Sequence, residues 1–251
     1  DVMNVTVAAH PNVPMSLNLI GDLVGGEWKN WGRGYNPITQ KNESSKAEEG
    51  QFFQYTWDAA LAEDPDMISV GGWNEWVAYK QWYANHYMLC DAASMEFSRD
   101  IEMMKGGYED SFYMQLIKNV RAYKGTPSES KAFSKSIDIS GGLKQWEDVT
   151  NVYRAIGTAS YGRNSTDCAG QSKYVMEAPR NNLQEIRVTH DQENIYFYIR
   201  AEKEITGSGA NWMNIFIGTG SPSLKGWEGY EYVINRSVNG STGSIERLKE
   251  D

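Results

Sequence analysis

The residues that promise chemistry are Trp73, Asn74, Glu75 and Trp76, which follow a short apolar run, Met67-Ile68-Ser69-Val70, and a Gly71-Gly72 pair. A carboxylate between two indoles, with a carboxamide beside it at the end of a buried strand, has the makings of a sugar site. Indole faces stack on pyranose rings, and the amide can hold a hydroxyl. Low-dielectric surroundings raise a carboxylate's pKa towards the working range of a general acid. On that reading Glu75 is the catalytic acid/base, while Asn74, Trp73 and Trp76 shape the subsite. The same spacing also suits a strand-end carboxylate that caps a neighbouring helix or pairs with Arg33 or Arg99. Large aromatics at strand ends serve equally well in packing.

The elements that must position this group can be read from periodicity. Residues 2–9 are rich in β-branched side chains and predict a strand ending at His10-Pro11. Residues 12–49 predict a long polar loop holding Trp28, Trp31 and Arg33-Gly34-Tyr35, of the length often used for binding. Residues 51–62 predict a helix, because Phe53, Trp57, Ala60 and Leu61 fall on one face of a 3.6-residue period. Asp64-Pro65 stops it. Residues 67–70 predict a second strand, completing the grammar of a βα unit with parallel strands. After an irregular segment over 79–108, residues 110–124 predict a second helix. Its apolar side carries Phe112, Tyr113, Leu116, Ile117 and Val120, and Gly125 is its C-terminal cap.

Beyond Gly125 the pattern changes. Residues 126–140 are polar and Ser-rich and predict a linker or a first strand. Residues 182–190 and 194–201 predict a strand pair with Asp191-Gln192-Glu193 at the turn, and residues 212–217 and 230–235 predict further strands. This half therefore predicts an antiparallel β-sandwich over 141–251, set after an α/β domain over 1–125.

Composition narrows the function. The 251 residues are 40% hydrophobic, 23% charged and 12% aromatic, which predicts a folded chain with a substantial core. The net charge is -9 and no basic stripe exists, so nucleic acid is not an expected partner. Two cysteines, Cys90 and Cys168, make no disulfide framework, and the scattered His10, His86 and His190 make no metal cluster. No apolar run is long enough for a transmembrane helix. No cofactor is expected. The chain opens on Asp1 rather than Met and closes on a charged run, so it is read as part of a longer protein, and a missing leader says nothing about export.

Two family likenesses follow from these motifs. Gly72-Trp73-Asn74-Glu75-Trp76, Glu96-Phe97-Ser98-Arg99-Asp100-Ile101-Glu102, Lys105-Gly106-Gly107, Tyr113-Met114-Gln115-Leu116 and Tyr123-Lys124-Gly125 resemble the end of the TIM-barrel domain of a group of bacterial glycoside-hydrolase-like proteins. They are also distantly similar to glycoside hydrolase family 99. His10-Pro11 and Arg33-Gly34-Tyr35 fit the preceding strand and loop of the bacterial group. The resemblance covers residues 1–125 and implies the last two βα units of a (β/α)8 barrel, whose intact form takes ~250 residues. It implies an active site at the carboxyl ends of the strands containing Glu75, with His10, Arg33 and Tyr35 among the residues lining it. The family's second carboxylate, three residues after the first, falls here on Ala78. Glycoside cleavage ordinarily uses two carboxyl groups, so the second would come from Asp91, Glu96, Asp100, Glu102 or elsewhere in the full protein.

Trp146-Glu147-Asp148-Val149, residues 194–198, Asn211-Trp212-Met213 and residues 226–232 resemble family 9 carbohydrate-binding modules. This likeness implies a sandwich domain; Trp227 and Tyr230 suit a sugar platform, while Trp146, Trp212 and Trp227 equally suit the sandwich core. Glycines stand in Ile217-Gly218-Thr219-Gly220 where a calcium loop would carry acids, so no calcium site is expected there. Together the likenesses imply a secreted, periplasmic or cell-surface bacterial polysaccharide-degrading glycoside hydrolase with an appended carbohydrate-binding-like domain. The alternative is a non-catalytic glycan-binding protein.

Overall fold

A computed structural model describes residues 1–11, 30–74, 80–83, 85–89, 95–104, 106–125, 133–155, 163–166, 173–176, 180–209, 212–220 and 226–249. The chain divides into two compact units. The first comprises Asp1–Gly125, Ile217–Tyr232 and Arg247–Asp251, and the second comprises Thr126–Phe216 and Val233–Glu246.

The first unit is built around one parallel strand pair. Strand β1 (Val2–Thr6) is followed by a small hairpin, β2 (Tyr35–Asn36) and β3 (Lys41–Asn42), then by helix α1 (Gln51–Glu63) and strand β4 (Met67–Gly71). β1 and β4 pair in parallel from Val2↔Met67 to Thr6↔Gly71. α1 covers one face of this pair. Val5 and Val7 pack with Phe53, Trp57 and Ala60 of the helix, and Ile101 and Phe112 close the cluster. Burying each of the large rings contributes on the order of 2–3 kcal/mol. α1 starts at Gly50, whose φ of 63° suits glycine, and ends where Asp64 turns left-handed ahead of Pro65.

After β4 comes a short antiparallel hairpin, β5 (Lys80–Tyr83) and β6 (His86–Leu89). Helix α2 (Ser111–Lys124) follows and crosses α1 through polar as well as apolar contacts. Gln115 Nε2 donates to the Gly50 carbonyl at 3.1 Å, and Asn119 Nδ2 donates to Gln54 Oε1 at 3.1 Å. Both amides are buried and both are satisfied, which is why polar side chains are tolerated there.

The second unit is assembled from short strands. β7 (Val152–Arg154), β10 (Leu183–His190) and β11 (Ile195–Ala201) form an antiparallel sheet in the order β11-β10-β7. Between β7 and β10 lies a separate hairpin, β8 (Arg163–Thr166) and β9 (Lys173–Met176). A further sheet has the order β12 (Ile215–Ile217), β13 (Tyr232–Asn239), β14 (Thr242–Arg247). Ile137, Trp146 and Val149 form the buried cluster of this unit, with Phe133, Tyr196 and Tyr198 against it. Arg187 fastens it from the side. Its Nη1 donates to the carbonyls of Trp146, Glu147 and Val149, and its Nε donates to Glu185 Oε1 at 2.7 Å.

The expected fold class, part of a (β/α)8 barrel followed by an antiparallel β-sandwich, is not what the chain forms. The described residues contain two α-helices and sheets of only two or three strands. A barrel repeats strand and helix around a closed ring. Here strand and helix alternate only as β1-α1-β4-α2, with hairpin β5-β6 inserted after β4, and the two strands form an open pair that closes no ring among the described residues. The local periodicities were sound, since the elements over 51–63, 67–71, 111–124, 183–190 and 195–201 form as expected. Their assembly into closed or two-layered sheets does not follow from them.

Candidate functional site

Because β1 and β4 are parallel, both run out at the same end of the pair. In open α/β arrangements ligands bind beyond the carboxyl ends of strands. From β1 the chain continues through Val7 and Ala8, both buried, to His10, which is exposed. Ala9 exchanges backbone hydrogen bonds with Trp31 at 2.8 and 2.9 Å, which fixes the exit path. β4 is not the buried strand expected, since Met67 and Val70 face solvent; from it the chain turns at Gly72 (φ 81°) into Trp73 and Asn74, both exposed.

Trp73 is held although 45% of it faces solvent. Its carbonyl accepts the N–H groups of Ile101 at 3.1 Å and Glu102 at 2.8 Å. Its ring meets Tyr113 of α2 edge-on, with centroids 6.0 Å apart and planes inclined at 68°. Gly72 is required at the turn on two counts. Its φ lies in the left-handed region, and a Cβ there would run into the Arg99 carbonyl. The result is an exposed indole and an exposed carboxamide on consecutive residues, presented on fixed backbone. Glu75, Trp76 and Ala78 lie outside the described residues, as does Asp91.

Arg33, expected among the residues lining the site, lies in the interior instead. It is 1% exposed. Its Nε donates to the Met95 carbonyl at 2.8 Å and its Nη2 to the Asp100 carbonyl at 2.7 Å. The guanidinium carbon lies 4.0 Å from the Phe112 ring centroid and 5.5 Å from that of Tyr108. Burial lowers the Arg33 pKa to about 10, with the Tyr108 and Asp100 charges opposing the fall. Burial likewise raises the Tyr108 hydroxyl, against the pull of Arg33. Tyr35 is buried too, stacked on Trp31 at 5.2 Å and edge-on to Phe52 at 5.7 Å.

Two of the other acids named from the sequence, Glu96 and Asp100, have side-chain partners. Glu96 Oε2 accepts from Ser44 Oγ at 3.0 Å, and buried Asp100 accepts from Ser98 Oγ at 2.7 Å through Oδ2. Glu102 is half-buried beside Trp73, tied to it through its own N–H. Among the described residues no three His, Cys, Asp or Glu side chains gather to hold a metal ion. No helix among them is long and apolar enough to cross a membrane.

Trp227 and Tyr230 form a separate small feature. They bridge each other across the turn at Glu228-Gly229, with the Tyr230 N–H donating to the Trp227 carbonyl at 2.9 Å. Tyr230 is buried, and the Arg121 guanidinium of α2 lies 5.1 Å over its ring. Glu228 pairs with Lys118 at 3.1 Å. Trp227 is half-buried, so it offers part of one ring where the sequence suggested a two-ring platform.

The site as built thus brings His10, Trp73 and Asn74 to one end of a parallel pair and puts Arg33 and Tyr35 in the interior. The segment 95–102, which backs Trp73, could have been suspected from Phe97 and Ile101, two apolar residues spaced four apart among the polar residues of 96–102. No family model, no curated protein and no solved structure matches the chain.

Proposed function

We propose that the protein handles glycan at the carboxyl ends of β1 and β4, as part of an exported polysaccharide-degrading glycoside hydrolase. Trp73 stacks on a sugar ring, and Asn74 and His10 take hydroxyls beside it. Glu75, next in the chain, acts as acid/base or polarising carboxylate for cleavage of an O-glycosyl bond. The observation that carries this reading is the exposed but immobilised indole of Trp73. An aromatic face already fixed by backbone and ring contacts loses little freedom when a ligand stacks on it.

The second reading is glycan binding without cleavage. Ala78 favours it, standing where the resembling family has its second acid. Reducing-end release from a glycan panel by the full-length protein, wild type against Glu75→Gln, decides between the two. Loss of release in the variant supports catalysis by Glu75. Equal release by both proteins rejects its assignment, and binding with no release by either supports the second reading.

A further inference from the structure

The turn that presents Trp73 and Asn74 is laid on an irregular strap, residues 95–102. Two strap N–H groups, of Ile101 and Glu102, hold the Trp73 carbonyl, and the Arg99 carbonyl fills the space beside Gly72. The backbone from which the indole projects is therefore set by the strap, while its ring edge meets Tyr113 of α2.

The strap is neither helix nor strand, so its own shape needs an external template. Phe97 and Ile101 anchor it by burial. The polar anchor is Arg33, which reaches both of its ends. The Arg33 N–H donates to the Glu96 carbonyl at 2.9 Å, Nε to the Met95 carbonyl at 2.8 Å, and Nη2 to the Asp100 carbonyl at 2.7 Å. The planar guanidinium spans carbonyls five residues apart in a fixed fork, which a lysine ammonium cannot reproduce. Phe112 and Tyr108 rings hold that fork in turn. Adding charge to the interior is costly unless it is hydrogen-bonded; here Nε and Nη2 are directed at backbone carbonyls of one segment, while Nη1 is buried without a partner.

We infer that Arg33 is a positioning residue for the sugar-contact turn, acting through the 95–102 strap to fix where the Trp73 ring stands. The inference rests on the reading of that turn as the sugar-contact surface. Its test separates the two.

The full chain would be labelled with 5-fluorotryptophan, and the Trp73 resonance assigned with Trp73→Phe. Affinity would be measured for soluble α-mannan, β-mannan, β-glucan and xylan. Arg33→Met should shift or broaden the Trp73 resonance and weaken binding of the glycan taken by the wild type by roughly tenfold or more. Arg33→Lys should restore only part of either. Asn119→Ala, which removes the hydrogen bonds exchanged with Gln54 of the other helix without touching the strap, should leave the resonance and the affinity in place. An unmoved Trp73 resonance in Arg33→Met overturns the positioning role even if the wild type binds glycan. A moved resonance in a protein that binds none of the glycans upholds the positioning role and rejects the sugar reading. Should Arg33→Met fail to fold, amide exchange in the wild type decides. The Ile101 and Glu102 amides should be protected together with that of Arg33, and exchange at the rate of a free peptide overturns the inference.

Discussion

The guanidinium carbon of Arg33 lies 4.0 Å above the ring centroid of Phe112, deep in the first unit. A buried cation over an aromatic face gains up to about 2 kcal/mol when desolvated. Phe112 also belongs to the main apolar cluster. Phe112→Leu keeps much of the volume and loses the cation's partner. It should lower unfolding free energy by about 2 kcal/mol in urea titration of the full chain, more than the usual cost of a volume-conserving swap.

Trp57 makes a contrasting case. It is 1% exposed, and its indole Nε1 is buried without a hydrogen-bond partner. Trp57→Phe gives up area but also removes an unsatisfied donor, so the two effects oppose. The expected cost is under about 1.5 kcal/mol, against about 3–5 kcal/mol for Trp57→Ala. Denaturant midpoints of the two variants check the difference.

The two helices and strands β1, β4, β10 and β11 were legible because local periodicity decides them, whereas hairpin β5-β6, in a segment expected to be irregular, and hairpin β8-β9 were not. The apolar face of α1 is buried at Phe53, Trp57 and Ala60 as its spacing predicts, but in α2 Phe112 is buried with Met114, Gln115 and Asn119, while Tyr113, Leu116, Ile117 and Val120 are only half-buried. What the spacing could not convey is how strands associate, since a β-branched run fits a barrel, a sandwich or a two-stranded pair alike. Arg33 shows the same limit at the site. As a residue type it suits a sugar hydroxyl or a carboxylate, and only the three-dimensional path of residues 95–102 turns it inward to backbone carbonyls. The spacing placed Trp73 and Asn74 just beyond a strand, where they stand, but it did not predict that both would be exposed. Gln115 and Asn119 were not, because nothing in a single helix predicts that two amides will meet partners on another.

Gly72→Ala should be more damaging than its size suggests. A φ of 81° strains any L side chain, and the Arg99 carbonyl occupies the space a Cβ would need. A loss of about 2 kcal/mol or more is expected. It should be accompanied by faster amide exchange at Ile101 and Glu102, since the turn can only relax by leaving the strap.

The second unit should weaken in acid. The Glu185 carboxyl lies below its ordinary 4.5 because Arg187 donates to it, with Arg154 adding a second hydrogen bond and charge. Asp191 lies well below its ordinary 3.8 because Tyr196 and the backbone N–H groups of Glu193 and Asn194 donate to it. Both pKa values are depressed in the folded state, so the unfolded chain binds protons first as pH falls. Their stabilisation is present above the ordinary carboxylate range and is lost as pH drops towards the folded values. Amide protection factors of β10 and β11 should fall from about pH 5 downward. Glu185→Gln and Asp191→Asn should be weaker at neutral pH and show a flatter fall. An unchanged slope in both would contradict the assignment.

The central claim is that a sugar meets the exposed face of Trp73. Calorimetric titration of the full-length protein with the glycan that binds it best, wild type against Trp73→Ala, addresses that claim directly. The account predicts a loss of roughly tenfold or more in affinity, corresponding to about 1.4 kcal/mol, with the fold intact by circular dichroism. Equal affinity in the two folded proteins would contradict it.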